Sequence, residues 1–441
     1  MKKPPRMATD LFVLTLPAIL AIAMGGPKHG TPPSPPPAPA ADAALLAHGE
    51  YVAKAADCAG CHTAPEGGAP FAGGLGMASP FGTIKTSNIT PDPRYGIGRY
   101  SYEAFDRAVR HGVAPGGKVL YPAMPYPEFS KMSDGDLRAL YAYLMQRVAP
   151  VAKPNEPADV AFPFNQRWTL YGWQFVFMPH GGFKSHAPDD PQWTRGAYLV
   201  QSLGHCGACH TPRGWGYEER GYDESAPRFL TGGINDHWFA PNLTGDAGSG
   251  LGRMSEADIA RFLKTGHAGG NIAYGSMVEQ IEDSMQYYSD ADLRAIAHYL
   301  KSLPPRQPSG TFAPATQPAR ASTNGNHVAD PQSLGYVVYQ SFCAKCHGDD
   351  GKGVPAAFPA LAGNPSVLAK DTTSLIRLIV EGGNSPATPS GPPRQQMPAF
   401  GGTLSNAQLA DALTYIRSAW GNSAQPISGN DVASLRETLH K

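Results

Sequence analysis

Cysteine is scarce in this chain of 441 residues: six occur, and none lies outside three copies of one pentapeptide. Net charge is absent too. Thirty-six basic and 36 acidic residues cancel, so no nucleic-acid or polyanion partner is implied. Long hydrophobic runs are missing beyond the N-terminus, where Leu11 to Met24 spans 14 residues behind Lys2, Lys3 and Arg6. That run is short for a membrane span and right for the apolar region of a signal peptide. Strand-type alternation is hard to find, and no Ser/His/Asp arrangement, phosphate loop or paired-carboxylate site stands out. What the chain has instead is 44 prolines and 50 glycines, which argue for long loops wrapped around something other than themselves.

The three pentapeptides are Cys58-Ala-Gly-Cys61-His62, Cys206-Gly-Ala-Cys209-His210 and Cys343-Ala-Lys-Cys346-His347. C-x-x-C-H is the attachment signature of c-type haem: each thiol adds to one vinyl group, and the adjoining histidine reaches the iron. A zinc site would draw a second Cys or His pair from nearby, and none follows. A redox dithiol would not need a histidine after the second cysteine in all three copies. Six cysteines and three motifs with nothing left over predict three covalently attached haem c groups.

Three motifs in this length predict three small domains, each with a thin apolar core that haem completes. The expected division is a signal peptide and proline-rich spacer over 1–40, a first haem domain over 41–153, and a connector with the second domain over 154–303. A linker rich in Pro, Ala, Ser and Thr follows over 304–330, then a third domain over 331–425 and a tail over 426–441. The first two units are duplicates. Gly49-x-Tyr51 matches Gly196-x-Tyr198, and Asn88-x-Thr90 with Gly96-x-Gly98-Arg99 matches Asn242-x-Thr244 with Gly250-x-Gly252-Arg253. The Asn-x-Thr block either shapes a turn or hydrogen-bonds haem propionates. Ser101 and Ser255 read as helix N-caps, with Gly112 and Gly266 ending those helices. The third unit lacks the Asn-x-Thr block. All three close on a capped amphipathic helix starting at Ser133, Ser289 and Ser405.

A six-coordinate haem needs a second axial group, and thioether raises the potential relative to a second histidine. Met124 and Met397 each precede a proline and stand 13 and 12 residues before the matching leucine of the closing helix. In the second unit Met277 stands 16 residues before it and Met285 eight, so spacing leans only slightly to Met277; its glycine-containing loop favours it further. Met132 and Met254, directly before helix caps, read as core residues. The aromatic stretch from Trp168 to Phe177 reads as interdomain core, with contact to a partner or a membrane surface as the other reading.

With Tyr121-Pro-Ala-Met-Pro-Tyr126, Phe162-Pro-Phe-Asn-Gln-Arg-Trp168 and Gly204-His-Cys-Gly-Ala-Cys-His-Thr-Pro-Arg213, the chain from about Ala41 onward resembles the tri-haem cytochrome c subunits of membrane-bound, quinone-linked dehydrogenases acting on alcohols, polyols and sugar acids. The resemblance implies three cytochrome c-like all-α domains in tandem and His/Met ligation by His62/Met124, His210/Met277 and His347/Met397. It implies a dehydrogenase partner carrying pyrroloquinoline quinone or flavin, room for a small third subunit, and ubiquinone as acceptor. It further implies export to the periplasmic face of the cytoplasmic membrane with peripheral attachment. Such a chain is not catalytic alone. It is the electron-transfer subunit of a complex that oxidises CH–OH donors. Two other functions remain open on the residues: a cytochrome feeding a terminal oxidase, and a catalytic multihaem enzyme with one open-site iron.

Overall fold

The computed structural model describes residues 42–235, 237–314 and 332–439. The expected signal peptide and spacer, and most of the expected linker, lie outside the described residues. Each unit opens and closes with a helix. The opening helices are Ala43–Ala55, Pro191–Tyr198 and Leu334–Phe342. The closing helices are Asp134–Gln146, Asp290–Ser302 and Asn406–Ser418, and each packs across its own opening helix. Backbones approach closely at the crossing because a glycine stands there. A Cβ on Gly49 would lie 2.0 Å from Ala139 O, and one on Gly196 2.0 Å from Ala295 O. The Gly-x-Tyr repeat is thus a packing rule, written where one helix must touch the backbone of another.

Ser133, Ser289 and Ser405 cap the closing helices by accepting the N–H of the residue three positions on. Gln408 returns a bond to Ser405 N, completing a capping box. Asp136 and Asp292 spend their carboxylates across the unit boundary instead. The Tyr198 hydroxyl of the second unit donates to Asp136, and the Tyr51 hydroxyl of the first donates to Asp292. His48 Nε2 lies 2.6 Å from Asp136 Oδ1, and Arg195 grips Asp292 with two bonds of 2.8 Å. The two duplicated units therefore exchange equivalent bonds. They also share one continuous apolar core, containing Val52, Leu137, Leu199 and Leu293, whereas the third unit builds its own around Val338, Leu413 and Ile416.

Between opening and closing helices runs a middle helix: Tyr102–His111, Glu256–Thr265 and Thr373–Glu381. Ser101 and Ser255 cap the first two, and Gly112 and Gly266 end them with φ of 63° and 77°. A short antiparallel hairpin follows each middle helix: Val113–Ala114 with Lys118–Val119, His267–Ala268 with Asn271–Ile272, and Gly383–Asn384 with Gln396–Met397. A three-stranded patch adds Gly76–Ser79, Gly82–Lys85 and Asp159–Val160. The fold is mainly helical, with these short strands added to the expected helices. Strands of two to four residues are too short to print an alternating pattern.

Residues 304–312 pack against both neighbours: Arg306 N donates to Thr244 Oγ1 at 3.1 Å, and Thr311–Phe312 pairs with Asn422–Ser423. The connector helix Thr169–Phe177 corrects one expectation. Trp168 and Phe175 are 72% and 84% exposed, so they are not interdomain core. Leu170 is the helix's buried residue, while Trp173 and Phe177 are partly buried and meet Tyr126 and Trp215 edge-on with ring centres 6.3 and 5.0 Å apart. Among the described residues no helix is long and apolar enough to cross a membrane.

Candidate functional site

Each C-x-x-C-H motif forms one helical turn at the end of its opening helix. The histidine N–H donates to the carbonyl of the first cysteine: His62 to Cys58 at 2.9 Å, His210 to Cys206 at 2.9 Å, and His347 to Cys343 at 3.0 Å. One turn brings the two sulfurs and the imidazole to one side of the backbone, as attachment to a porphyrin edge requires.

The three imidazoles are treated alike. Nδ1 donates to a backbone carbonyl in every case: His62 to Ser87 O at 2.6 Å, His210 to Pro241 O at 2.7 Å, and His347 to Pro359 O at 3.0 Å. Burial lowers the pKa of all three, so the rings are neutral. A neutral ring that donates from Nδ1 keeps a lone pair on Nε2, the tautomer that binds iron. Burial pushes the Cys61 and Cys206 thiols up to about 12 and Cys343 to about 11. That is the reverse of what a thiolate metal site or reactive dithiol needs. The donor set therefore fits haem, and among the described residues no three His, Cys, Asp or Glu side chains gather as ligands for a separate metal ion.

The carbonyls that orient these histidines carry no sequence signature of their own, yet a neighbouring motif holds two of them. Ser87 and Pro241 each immediately precede the Asn-x-Thr block. Asn88 Oδ1 accepts from Thr90 N at 2.9 Å and Thr90 Oγ1 at 2.7 Å, while its Nδ2 donates to Val151 O at 2.8 Å. Asn242 repeats this, accepting from Thr244 N at 2.8 Å and donating to Arg306 O at 2.7 Å. The block is a turn that pins the His-orienting carbonyl to the chain leaving the closing helix. In the third unit Pro359 supplies the carbonyl without it. Gly73 and Gly353 complete the seat. Each donates its N–H to the histidine carbonyl, at 2.7 and 2.8 Å, and a Cβ on either would stand 2.4–2.5 Å from the orienting residue.

Met124 and Met277 follow their hairpins, whereas Met397 ends the second strand of its own. Leu120 N donates to Gly112 O at 2.7 Å and Ala273 N to Gly266 O at 2.9 Å, and Met124 and Met277 each stand four residues further on. Met132 and Met285 each follow eight residues after that, 3% and 5% exposed in the shared core. Met277 thus occupies in its unit the place of Met124, and Met285 that of Met132. The distance from Met277 to the closing helix is longer than in the first unit because a turn, Met285–Tyr287, lengthens the second unit just before its cap.

A cavity of about 980 Å³ gathers Cys206, Cys209, His210, Met277 and Met285, and one of about 150 Å³ gathers Cys343, Cys346, His347 and Met397. In the first unit Cys58 and Met124 pack against the same core. The sets lie side by side: Cys61 lines the second unit's cavity, and Tyr274, Asn364 and Ser366 line both cavities.

The cytochrome c family model matches residues 46–147, 194–304 and 332–420, one segment per unit. Among curated proteins, the cytochrome c subunit of an alcohol dehydrogenase (quinone) from Gluconacetobacter polyoxogenes is 47% identical over 91% of this chain and 86% of its own length. The gluconate 2-dehydrogenase cytochrome c subunit of Pantoea cypripedii is 46% identical over 90% of both chains. The fructose dehydrogenase cytochrome subunit of Gluconobacter japonicus is 36% identical over 98% of this chain and 90% of its own. This chain belongs to the cytochrome c subunits of dehydrogenases. It binds three haem c groups covalently, through the cysteine pairs at 58/61, 206/209 and 343/346. As a member of that family it lends one-electron chemistry to a catalytic partner, the haem supplying the redox step and the protein its seat.

Proposed function

We propose that this cytochrome subunit carries electrons from a dehydrogenase catalytic subunit, through three haems, to ubiquinone. The relatives' names specify alcohol, gluconate and fructose as donors. The partner then oxidises a CH–OH group with pyrroloquinoline quinone or flavin, with room for a small third subunit. The proposed axial pairs are His62/Met124, His210/Met277 and His347/Met397, in domains spanning 41–153, 154–303 and 331–425, with a tail over 426–441. The chain is exported and works at the periplasmic face of the cytoplasmic membrane, attached peripherally, which the exposed Trp168 and Phe175 suit.

The observation that carries this reading is the common fixing of three neutral imidazoles by backbone carbonyls, with Met277 and Met397 lining the same cavities as His210 and His347. Iron held from both sides exchanges electrons without an open position for substrate. The test is purification of the tagged chain from its native membranes. A large dehydrogenase subunit should co-purify, and the eluate should reduce a ubiquinone analogue with an alcohol or sugar-acid donor. A chain that purifies alone, or an eluate that reduces only a terminal oxidase, contradicts the reading.

A further inference from the structure

The larger cavity has two ends. One belongs to the second unit and is walled by Leu251, Ile259, Leu263 and Met277. The other is walled by the first unit and the connector: Phe81, Ala123, Pro125, Leu170 and Val176. Met124 stands between Ala123 and Pro125 yet packs on the apolar core instead. Val176 and Trp215, both on this wall, are 59% and 87% exposed, so this end opens at the surface beside the aromatic connector.

Two carboxylates face its inner part. Glu128, from the turn after Met124, and Glu219, from the second unit, are 3% and 5% exposed. Glu128 Oε1 and Glu219 Oε2 each lack a hydrogen-bond donor. Glu219 Oε2 lies 2.4 Å from where a Cβ on Gly207 would stand, so the carboxylate rests on the Cys206-Gly-Ala-Cys209 loop that holds the second haem. Arg213 Nη1 approaches Glu219 Oε1 at 3.5 Å. Lys131 faces both carboxylates, but its Nζ is engaged by Gln201 Oε1 and Tyr222 O, and lies 3.9 Å from Asp223. His205, which feels the Glu128 charge, is held neutral by burial, and burial raises the Tyr126 and Tyr222 phenols. Burial first and the Glu128 charge second push Glu219 well above the usual carboxylate range. Glu219, buried beside a second carboxylate, therefore keeps a proton.

We propose that this end of the cavity is an isoprenoid-quinone site, its apolar mouth taking the tail and the Glu128–Glu219 pair handing a proton to a quinone oxygen beside the second haem. The proposal rests on the reading that this chain feeds a quinone. Two electrons and two protons convert quinone to quinol. Each electron comes from one ferrous-to-ferric oxidation, and each is matched by one proton. The pair gives its proton to form a quinone O–H bond and takes another from water before the second. An apolar cleft with a few convergent polar groups is the usual form of such a site.

The test uses the haem-loaded full chain, a short-chain ubiquinone as probe, calorimetry for binding to the oxidised protein, and stopped-flow absorbance for reoxidation of the reduced protein. Gly172 lines the cavity on the connector helix, and a Cβ there meets nothing within 4 Å, so Gly172→Phe fills the mouth without disturbing a neighbour. It should weaken quinone binding about tenfold or more and slow reoxidation by quinone, while ferricyanide, which needs no proton, reoxidises it as fast as the unaltered chain. Glu128→Gln and Glu219→Gln should each slow reoxidation by quinone by about 100-fold with little loss of binding, and should remove the decline of that rate at alkaline pH. If the unaltered chain binds quinone and is reoxidised by it, yet the variants match it, the site is elsewhere and the proposal is overturned while the functional reading stands. If the unaltered chain neither binds quinone nor is reoxidised by it, the functional reading fails, and this proposal with it.

Discussion

The histidine tautomer, at the scale of single residues, decides whether three motifs become three haem ligands. Each ring is fixed by one bond to a main-chain oxygen, which no side-chain substitution can remove directly. The methionines are more easily tested. Met277→Leu should remove the sulfur-to-iron charge-transfer band of one haem in three and lower one of the three reduction potentials. Met285→Leu should leave the spectrum whole and cost less than about 1.5 kcal/mol of stability, as volume-conserving core changes do. A spectrum altered by Met285→Leu alone would exchange their roles.

Asp57, directly before the first haem cysteine, gives a pH prediction. Burial raises its pKa from 3.8 to about 7, opposed by the 2.7 Å bond from Gln280 Nε2 and aided by the charge of Asp283. Between pH 4 and 7 the folded chain holds this proton and the unfolded chain does not, so stability falls as pH rises through that window. Asp57→Asn keeps an acceptor for Gln280 and suits the left-handed backbone at φ 50°. It should flatten the decline, raising the melting temperature at pH 7.5 more than at pH 4.5. An equal shift at both pH values would show that the carboxylate is not the cause.

Among the elements, the helix crossing is the firmest constraint. Gly196→Ala forces a methyl against Ala295 O and should destabilise the chain by about 1–3 kcal/mol. Gly172→Ala, on a helix position facing open space, should be neutral or stabilising by up to about 1 kcal/mol. Melting temperatures of the pair separate packing from propensity.

The serine caps and the C-terminal glycines were legible in the sequence because a local hydrogen bond or a positive φ demands a residue type. So were the Gly-x-Tyr repeat and the three haem loops. The hairpins were not, since two-residue strands leave no period. Their register is what equates Met277 with Met124, so counting residues to the closing helix left the assignment open. Asn88 and Asn242 were visible as a pair, but their task, holding the carbonyl before them against the haem histidine, needed the fold. Glu128 and Glu219 lie 91 positions apart and meet only when the two units pack.

At the scale of the whole molecule, the duplicated units form one body, tied by the exchange of Tyr51–Asp292 and Tyr198–Asp136 and by a common core. The third unit joins through the wall that Tyr274 and Ser366 share between two cavities. The haem-attachment motifs are consequently close neighbours, Cys61 lining the second unit's cavity and Tyr274 lining that cavity and the third unit's. The exposed aromatics of the connector flank the apolar mouth of the larger cavity. On the site proposed above, a lipid-soluble acceptor would meet the chain at the junction of the first two units.

The central claim is three irons held on both sides and no open catalytic position. Electron paramagnetic resonance of the oxidised, purified chain tests it most directly, alongside a haem count per polypeptide. The account predicts three low-spin ferric signals for three haems, and no high-spin signal. A high-spin haem in stoichiometric amount would contradict it and make one of the three sites a place where substrate binds.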